Sequence, residues 1–270
     1  MDAVCQNLKG WAQEIFLVDS YSKDNTVDIA LRHGITVVQR KFRGFGDQWN
    51  YAMQNLPITA PWTMKLDPDE RISDTLKSQL LETILYNPCD GVSVVRRLWF
   101  MQKPLPVRQN LLRVWRTGKC TFTNVAVNEH PIVAGRIVQI DGELEHHDSP
   151  DLDHWFEKQN RYTTAEAIAF YQTSQTAIES ALFGTPFQRR MWLKKNFRRI
   201  PFRYKLFFLH QLFVVGAWRA GAVGVTWARL RTDVMRMIEL KLREMQRSES
   251  IPLSRHYGAG SPDSRVSQVD

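Results

Sequence analysis

At 270 residues, 43% hydrophobic and 24% charged, the chain excludes a disordered or fibrous class and is long enough for one α/β domain plus a C-terminal appendage. Its formal net charge of +8 implies an anionic partner, which composition leaves open between nucleic acid, a phosphate-bearing substrate and an acidic lipid surface. Cys5, Cys89 and Cys120 form neither a metal-ligand spacing nor an even set, which argues for free thiols in a reducing compartment, and the N-terminus lacks the basic and apolar pattern of a signal peptide.

In chain order, Glu14 to Asp19 is a short apolar run ending in an acid and predicts a strand. Residues 25–33, with Val27, Ile29, Ala30 and Leu31 at helical spacing before Gly34, predict a helix. The cycle repeats with a strand from Ile35 to Gln39, a helix from Gln48 to Leu56, a strand from Thr63 to Leu66 and a helix from Thr75 to Tyr86 capped by Ser73. This alternation implies an α/β fold, a mainly parallel sheet covered by helices on both faces. After Asp90, extended segments are predicted near 91–100, 110–117, 121–133 and 136–147, followed by a helix from Leu152 to about Thr173. Composition is helical from Phe187 to Gln246, and the Ser/Gly/Pro-rich stretch from Arg247 onward reads as a disordered tail. The expected division is a catalytic domain over 1–175, a basic helical region over 176–246 and a tail over 247–270.

Ligands of open α/β sheets bind beyond the carboxyl ends of the strands, where this sequence places Asp19 and the cluster Asp67-Pro68-Asp69-Glu70. Asp19 alone also suits a turn or helix cap, and the cluster alone suits a solvated loop. Together, Asp-x-Asp at a strand end offers carboxylate oxygens to Mg²⁺ or Mn²⁺, which keeps positions open for a diphosphate and stabilises charge on a departing nucleoside diphosphate.

Three ordered motifs make this specific. Val18-Asp19-Ser20-Tyr21-Ser22-Lys23-Asp24-Asn25-Thr26, Gly44-Phe45-Gly46-Asp47-Gln48-Trp49-Asn50-Tyr51-Ala52 and Leu66-Asp67-Pro68-Asp69-Glu70-Arg71 resemble, in order and spacing, successive motifs of family 2 glycosyltransferases, nearest the lipopolysaccharide core β-glucosyltransferase branch. The resemblance implies a GT-A-like, Rossmann-like mixed sheet and inverting transfer of a hexose from a nucleotide sugar, UDP-glucose foremost, to a lipopolysaccharide-core or lipid-linked acceptor. It implies that Asp19 contacts the donor nucleoside, that Gln48 and Asn50 line the donor pocket, and that Asp67 and Asp69 hold the sugar diphosphate, Asp69 through the divalent metal. Val127-Asn128-Glu129-His130 resembles the family's base position, with Asn128 where the family keeps a His; Glu129 suits a general base, since inversion needs a carboxylate near the acceptor hydroxyl. Gly142-Glu143-Leu144-Glu145-His146 resembles the family's Gly-x-Leu-x-His segment, where His146 reaches the diphosphate or metal.

Arg96, Arg97, Arg113 and Arg116 lie on the later extended segments, where a guanidinium could pair with phosphate, although surface charge is the simpler expectation. Family members begin with an apolar strand and an Asn-Glu loop, whereas this sequence starts within the following helix. The expectation is either that some 15–20 residues, roughly one strand and its loop, lie upstream or that the copy is decayed.

From Arg189 to Arg231 cations such as Lys194, Arg203, Lys205 and Arg219 alternate with Trp192, Phe202, Phe213 and Trp218, with no acid among them. That interleaving suits an anionic leaflet or single-stranded nucleic acid. The acids at strand ends disfavour nucleic acid as the partner. The expected setting is the cytoplasmic face of a bacterial inner membrane, with the region interfacial or partly embedded, because Leu206 to Ala217 is too short for a span. The competing readings are a non-catalytic partner of a polysaccharide assembly complex and a nucleic-acid-binding basic protein.

Overall fold

The computed structural model describes residues 1–123, 130–172, 196–197 and 200–251. They fall into two compact units, Met1–Leu152 and Asp153–Leu253. The helix that begins at Leu152 therefore goes with the second unit, whereas the sequence suggested a boundary near 175.

The first unit starts with α1 (Asp2–Leu8), β1 (Phe16–Asp19), α2 (Thr26–Arg32), β2 (Thr36–Gln39) and α3 (Phe45–Asn55). Then come β3 (Trp62–Met64), β4 (Glu70–Ile72), α4 (Asp74–Tyr86), β5 (Gly91–Phe100) and β6 (Lys103–Arg116). It closes with β7 (Cys120–Phe122), β8 (Pro131–Val133) and β9 (Ile137–His147). β1 and β2 pair in parallel, with Asp19 opposite Gln39 at their ends. A five-stranded sheet has the order β3-β6-β5-β9-β4, parallel at β5–β9 and antiparallel at its other ladders, and β7 pairs antiparallel with β8. The α/β class and the mixed sheet are those expected. β4 was not foreseen, because three residues are too few for alternation to register.

Local chemistry explains several boundaries. Ser73 caps α4 as expected, its Oγ accepting from Leu76 N at 3.2 Å. β5 and β6 join through only two residues, Met101 (φ 47°) and Gln102 (φ 60°), the left-handed pair that a tight hairpin demands, filled here without glycine. The main core lies between α4 and the sheet: Ile72, Leu76, Leu80, Val92, Val94, Val114 and Leu144 are buried there. Each contributes about 1.5–3 kcal/mol of burial. α4 approaches β9 so closely that a Cβ on Gly142 would stand 2.6 Å from the Leu76 Cα. Gly142 N instead donates to Gln79 Oε1 at 2.7 Å.

A second cluster of Val4, Cys5, Ala30 and Ile35 joins α1 and α2 to the β1–β2 pair, with Leu17 and Leu66 against it. A third joins Trp115, Cys120 and Phe122, with Trp49 and Met53 of α3 packed on it.

The second unit contains α5 (Leu152–Gln172), α6 (Arg203–Leu209), a π-helical turn (His210–Val214), a 3-10 turn (Ala217–Ala220) and α7 (Gly221–Ser248). Trp227, Val234, Ile238, Leu242 and Met245 form the buried stripe of α7 at helical spacing. Lys241 ties α7 to α5, its Nζ donating to Asn160 O at 2.7 Å and to Thr164 Oγ1 at 2.7 Å. Of the expected helical region, residues 176–195 and 198–199, and with them the tail beyond 251, lie outside the described residues.

Candidate active site

β1 ends in Asp19, which is 4% exposed. Its carboxylate accepts from Ser22 N at 3.0 Å and from Gln39 Nε2 at 2.9 Å, the latter reaching across from the paired end of β2. Burial alone would push this carboxyl up, but the bonds from Ser22 and Gln39 outweigh it and hold the group below the ordinary aspartate value. The anion is therefore set in place at neutral pH. Tyr21, two residues on, has φ 62°, an uncommon conformation for a non-glycine residue, and its ring is exposed.

Gln48, from the first turns of α3, lies over the end of β1. Its Nε2 donates to Val18 O at 3.1 Å and to Ser20 Oγ at 3.2 Å, while its buried Oε1 has no hydrogen-bond partner among the described residues. Asn50 faces a different element. Its Nδ2 donates to Phe122 O at 2.9 Å and its Oδ1 accepts from Phe122 N at 2.7 Å, so the side-chain amide pins α3 to β7 in the manner of a ladder pair.

The segment Asp67-Pro68-Asp69-Glu70 is a β-turn between β3 and β4, with Glu70 N donating to Asp67 O at 2.9 Å and Pro68 pre-setting the backbone at the second position. Leu66, just before it, packs on the same cluster as Leu17 of β1, so Asp19 and Asp67 leave one shared core. Arg71 holds the outside of the turn through Pro68 O at 2.8 Å and Glu70 O at 2.6 Å.

Beneath the turn is Arg113, on β6 and 4% exposed. It donates to Glu70 Oε1 at 2.5 Å and to Asp67 Oδ2 at 3.0 Å. Glu70 is fully buried; its Oε2 accepts from Asp67 N at 3.1 Å, and Arg96 stands 3.6 Å away. Burial pushes the Glu70 carboxyl up against the pull of Arg113, while Asp67 and Glu70 hold the Arg113 guanidinium charged against its own burial. Arg113 therefore stays charged, because arginine does not give up its proton in proteins.

Asp69 meets His146. Register pairs Glu70 of β4 with His146 of β9, which brings His146 Nε2 within 3.2 Å of Asp69 Oδ2; Asp148 Oδ1 lies 3.9 Å from the same nitrogen. His147 N donates to Asp69 O at 2.8 Å, fixing the backbone of the turn as well.

Among the described residues no three His, Cys, Asp or Glu side chains form a closed metal site. The carboxylate oxygen of Asp69 nevertheless suits Mg²⁺ or Mn²⁺, which bind one or two carboxylates and leave other positions to phosphate and water; the imidazole nitrogen of His146 beside it could add a ligand to the softer Mn²⁺ and not to Mg²⁺.

Glu129, the expected base, and Asn128 lie outside the described residues. The two ends of that stretch are joined: Thr123 N donates to His130 O at 3.1 Å, and His130 N donates to Thr123 Oγ1 at 2.9 Å. Phe122, held by Asn50, is the next residue in.

Sequence reasoning left Arg113 undistinguished among four arginines, and it overlooked Glu70 and Gln39 as supports of Asp67 and Asp19. Arg97 instead pairs with Glu143 at 2.9 Å, and Arg116 donates to Cys89 O at 3.0 Å.

Comparison with known proteins fixes the class of chemistry. Residues 2–136, half of the chain, match the family model for glycosyl transferase family 2. The chain belongs to that family. It is thus a glycosyltransferase, and the acids at the ends of β1 and β3 are its candidate donor-binding groups. The chain is similar to the lipopolysaccharide core biosynthesis glycosyltransferase LpsC of Rhizobium meliloti (strain 1021), 26% identical over 223 residues that cover 78% of this chain and 75% of that protein. Two crystal structures of S. aureus TarS 1-349, the second in complex with UDP, align over 96% and 95% of this chain and 92% and 89% of theirs, with TM-scores of 0.42 and 0.39 at 13% and 14% identity.

Proposed function

We propose that this chain transfers a hexose from a nucleoside diphosphate sugar, UDP-glucose, to a glycolipid acceptor of lipopolysaccharide-core or lipid-linked polysaccharide type, with inversion at the sugar carbon. The work takes place at the cytoplasmic face of a bacterial inner membrane. The observation that carries this reading is the Asp67–Glu70 turn, clamped from below by Arg113 and met from the side by His146. A donor site must present carboxylates in fixed positions without letting them collapse on one another, and this arrangement does so. The named role of the similar LpsC protein supports the acceptor class.

Each residue has a distinct task. Asp19, ionised and rigidly bonded, accepts from the nucleoside; Gln48 supplies an unused buried amide oxygen beside it. Asp67 orients the sugar diphosphate. Asp69 and His146 are the residues that would hold a divalent cation, which when bound neutralises charge gathering on the departing diphosphate. Glu129 takes the proton of the acceptor hydroxyl as its oxygen bonds to the sugar carbon and the sugar–phosphate bond breaks on the opposite face. Asn50 works indirectly, by fixing β7 next to the stretch that carries Glu129.

Calorimetry with UDP, with and without Mn²⁺, tests the donor half. UDP should bind more tightly with Mn²⁺, and the gain should disappear in Asp69→Ala. If Asp69→Ala keeps the full metal dependence of the parent chain, the turn is not the donor site.

A further inference from the structure

Among the described residues no single helix is long and apolar enough to cross a membrane, but Arg203–Val214 and Ala217–Ser248, bent by 66°, together pass that test of length and composition. The bend is built into the backbone. His210–Val214 winds as a π-helical turn, Gly216 takes φ 85°, and Ala217–Ala220 continues as a 3-10 turn. Gly224 lets α7 close on the bend, since a Cβ there would stand 1.7 Å from Ala217 O.

The outer face of this element is apolar. Phe202, Leu206, Leu209 and Phe213 follow at helical spacing and are 74%, 52%, 44% and 63% exposed. Val214 at 74% and Trp218 at 53% extend the stripe over the bend. Exposed apolar residues scattered singly need no explanation, whereas a contiguous stripe of large ones marks a surface that something covers. The inner face is already engaged: Arg203 Nη2 donates to Glu239 Oε1 at 2.7 Å and Tyr204 Oη to Glu239 Oε2 at 2.5 Å, so the stripe is held pointing outward. One cation stands at each end, Lys205 over the Phe202 ring at 5.8 Å and Arg219 over the Trp218 ring at 5.6 Å. The sequence has no acid between Glu179 and Asp233.

We propose that this stripe is an in-plane anchor that seats in an anionic lipid bilayer, with Phe213, Val214 and Trp218 at the bend entering deepest. Charge complementarity selects the occupant. Cations at both ends of an apolar face, on a segment without acids, meet acidic headgroups while the rings enter the acyl boundary. The anchor deepens the membrane-face reading above and rests on it for the source of the acceptor; the surface argument itself is independent of the donor chemistry.

The test is co-sedimentation of the full chain with vesicles of phosphatidylcholine alone and with vesicles that also contain phosphatidylglycerol, neither containing any glycolipid acceptor. The parent chain should sediment with the anionic vesicles and less so as salt rises. Phe213→Ser with Val214→Ser and Trp218→Ser should lower the partition at least about tenfold, given the apolar area withdrawn from the bilayer. Lys205→Glu with Arg219→Glu should remove most of the preference for anionic vesicles. Thermal unfolding should be unchanged in both variants, because all five side chains are exposed or half-exposed.

Equal sedimentation of the triple serine variant and the parent overturns the proposal. So does a lipid-free dimer in sedimentation velocity that the serine substitutions abolish, since the occupant is then a second copy. UDP binding measured on the same preparations separates the two ideas: intact UDP binding with no vesicle binding refutes the anchor alone, while vesicle binding without UDP binding refutes the donor reading alone.

Discussion

Replacing Arg113 by methionine isolates the one buried charge network that supports the acidic turn. In the parent chain the Arg113 guanidinium contacts both Glu70 and Asp67, and Glu70 has no solvent exposure at all. Methionine fills much of the same space but leaves Glu70 with the backbone N–H of Asp67 and, as its cation partner among the described residues, Arg96 at 3.6 Å. Removing one partner of a buried ion pair costs about 3–5 kcal/mol, more than the pair itself adds over an apolar replacement. The loss should depend on pH. Without Arg113 the folded-state value of Glu70 rises further above its unfolded value, so the penalty is absent below the ordinary glutamate range, grows as pH rises above it and is complete only above the raised folded-state value. Glu70→Gln in the same chain should recover a large part of the loss, because no buried charge remains to be stranded. Urea unfolding followed by circular dichroism between pH 5 and pH 8 measures all three quantities. A cost below about 1 kcal/mol at pH 7, or no recovery in the double variant, would refute the assignment of Arg113 as the support of the turn.

Asn50→Ala removes both bonds to Phe122 and should destabilise by about 1–3 kcal/mol, with sugar transfer falling through turnover while UDP affinity holds; a matching loss of UDP affinity would put Asn50 in the donor pocket instead. Asp19 and Glu143 are both held below the ordinary carboxylate range, so the stability they add is complete above that range and is lost as pH falls through their folded values. An acid titration followed by circular dichroism should show Asp19→Asn weakening the dependence below about pH 4. Burial pushes the Cys120 thiol up to about 11, so a thiol reagent at pH 8 should label it only after denaturant is added; rapid labelling of the native chain would contradict its place beside Trp115 and Phe122.

The alternation of apolar runs and helical spacing before residue 90 reveals β1, α2, β2, α3, β3 and α4 to within a few residues, because each is either a short apolar strand or an amphipathic helix with its own start signal. The two-residue hairpin at Met101 and Gln102 carries none of the glycine or asparagine that would announce it, and β6 accordingly starts well before the extended segment expected from residue 110. Asp19, Asp67 and Asp69 are legible as acids at strand ends. Their supports are not. Arg113 reaches Asp67 only because β6 lies beside β3, and His146 reaches Asp69 only because β9 pairs with β4; no local pattern encodes either adjacency. Asn50 shows the same limit from the other side, since its place in a motif beside Gln48 conceals that its amide is spent on Phe122.

Inverting sugar transfer by the acids of this site is tested most directly by incubating the chain with UDP-glucose, Mn²⁺ and lipopolysaccharide-core acceptor and reading the product by nuclear magnetic resonance. The expected product is a glycoside whose anomeric configuration is opposite to that of the donor, formed at least about 10²-fold more slowly by Asp69→Asn and by Glu129→Gln. A product of retained configuration, or undiminished transfer by both variants, would contradict it.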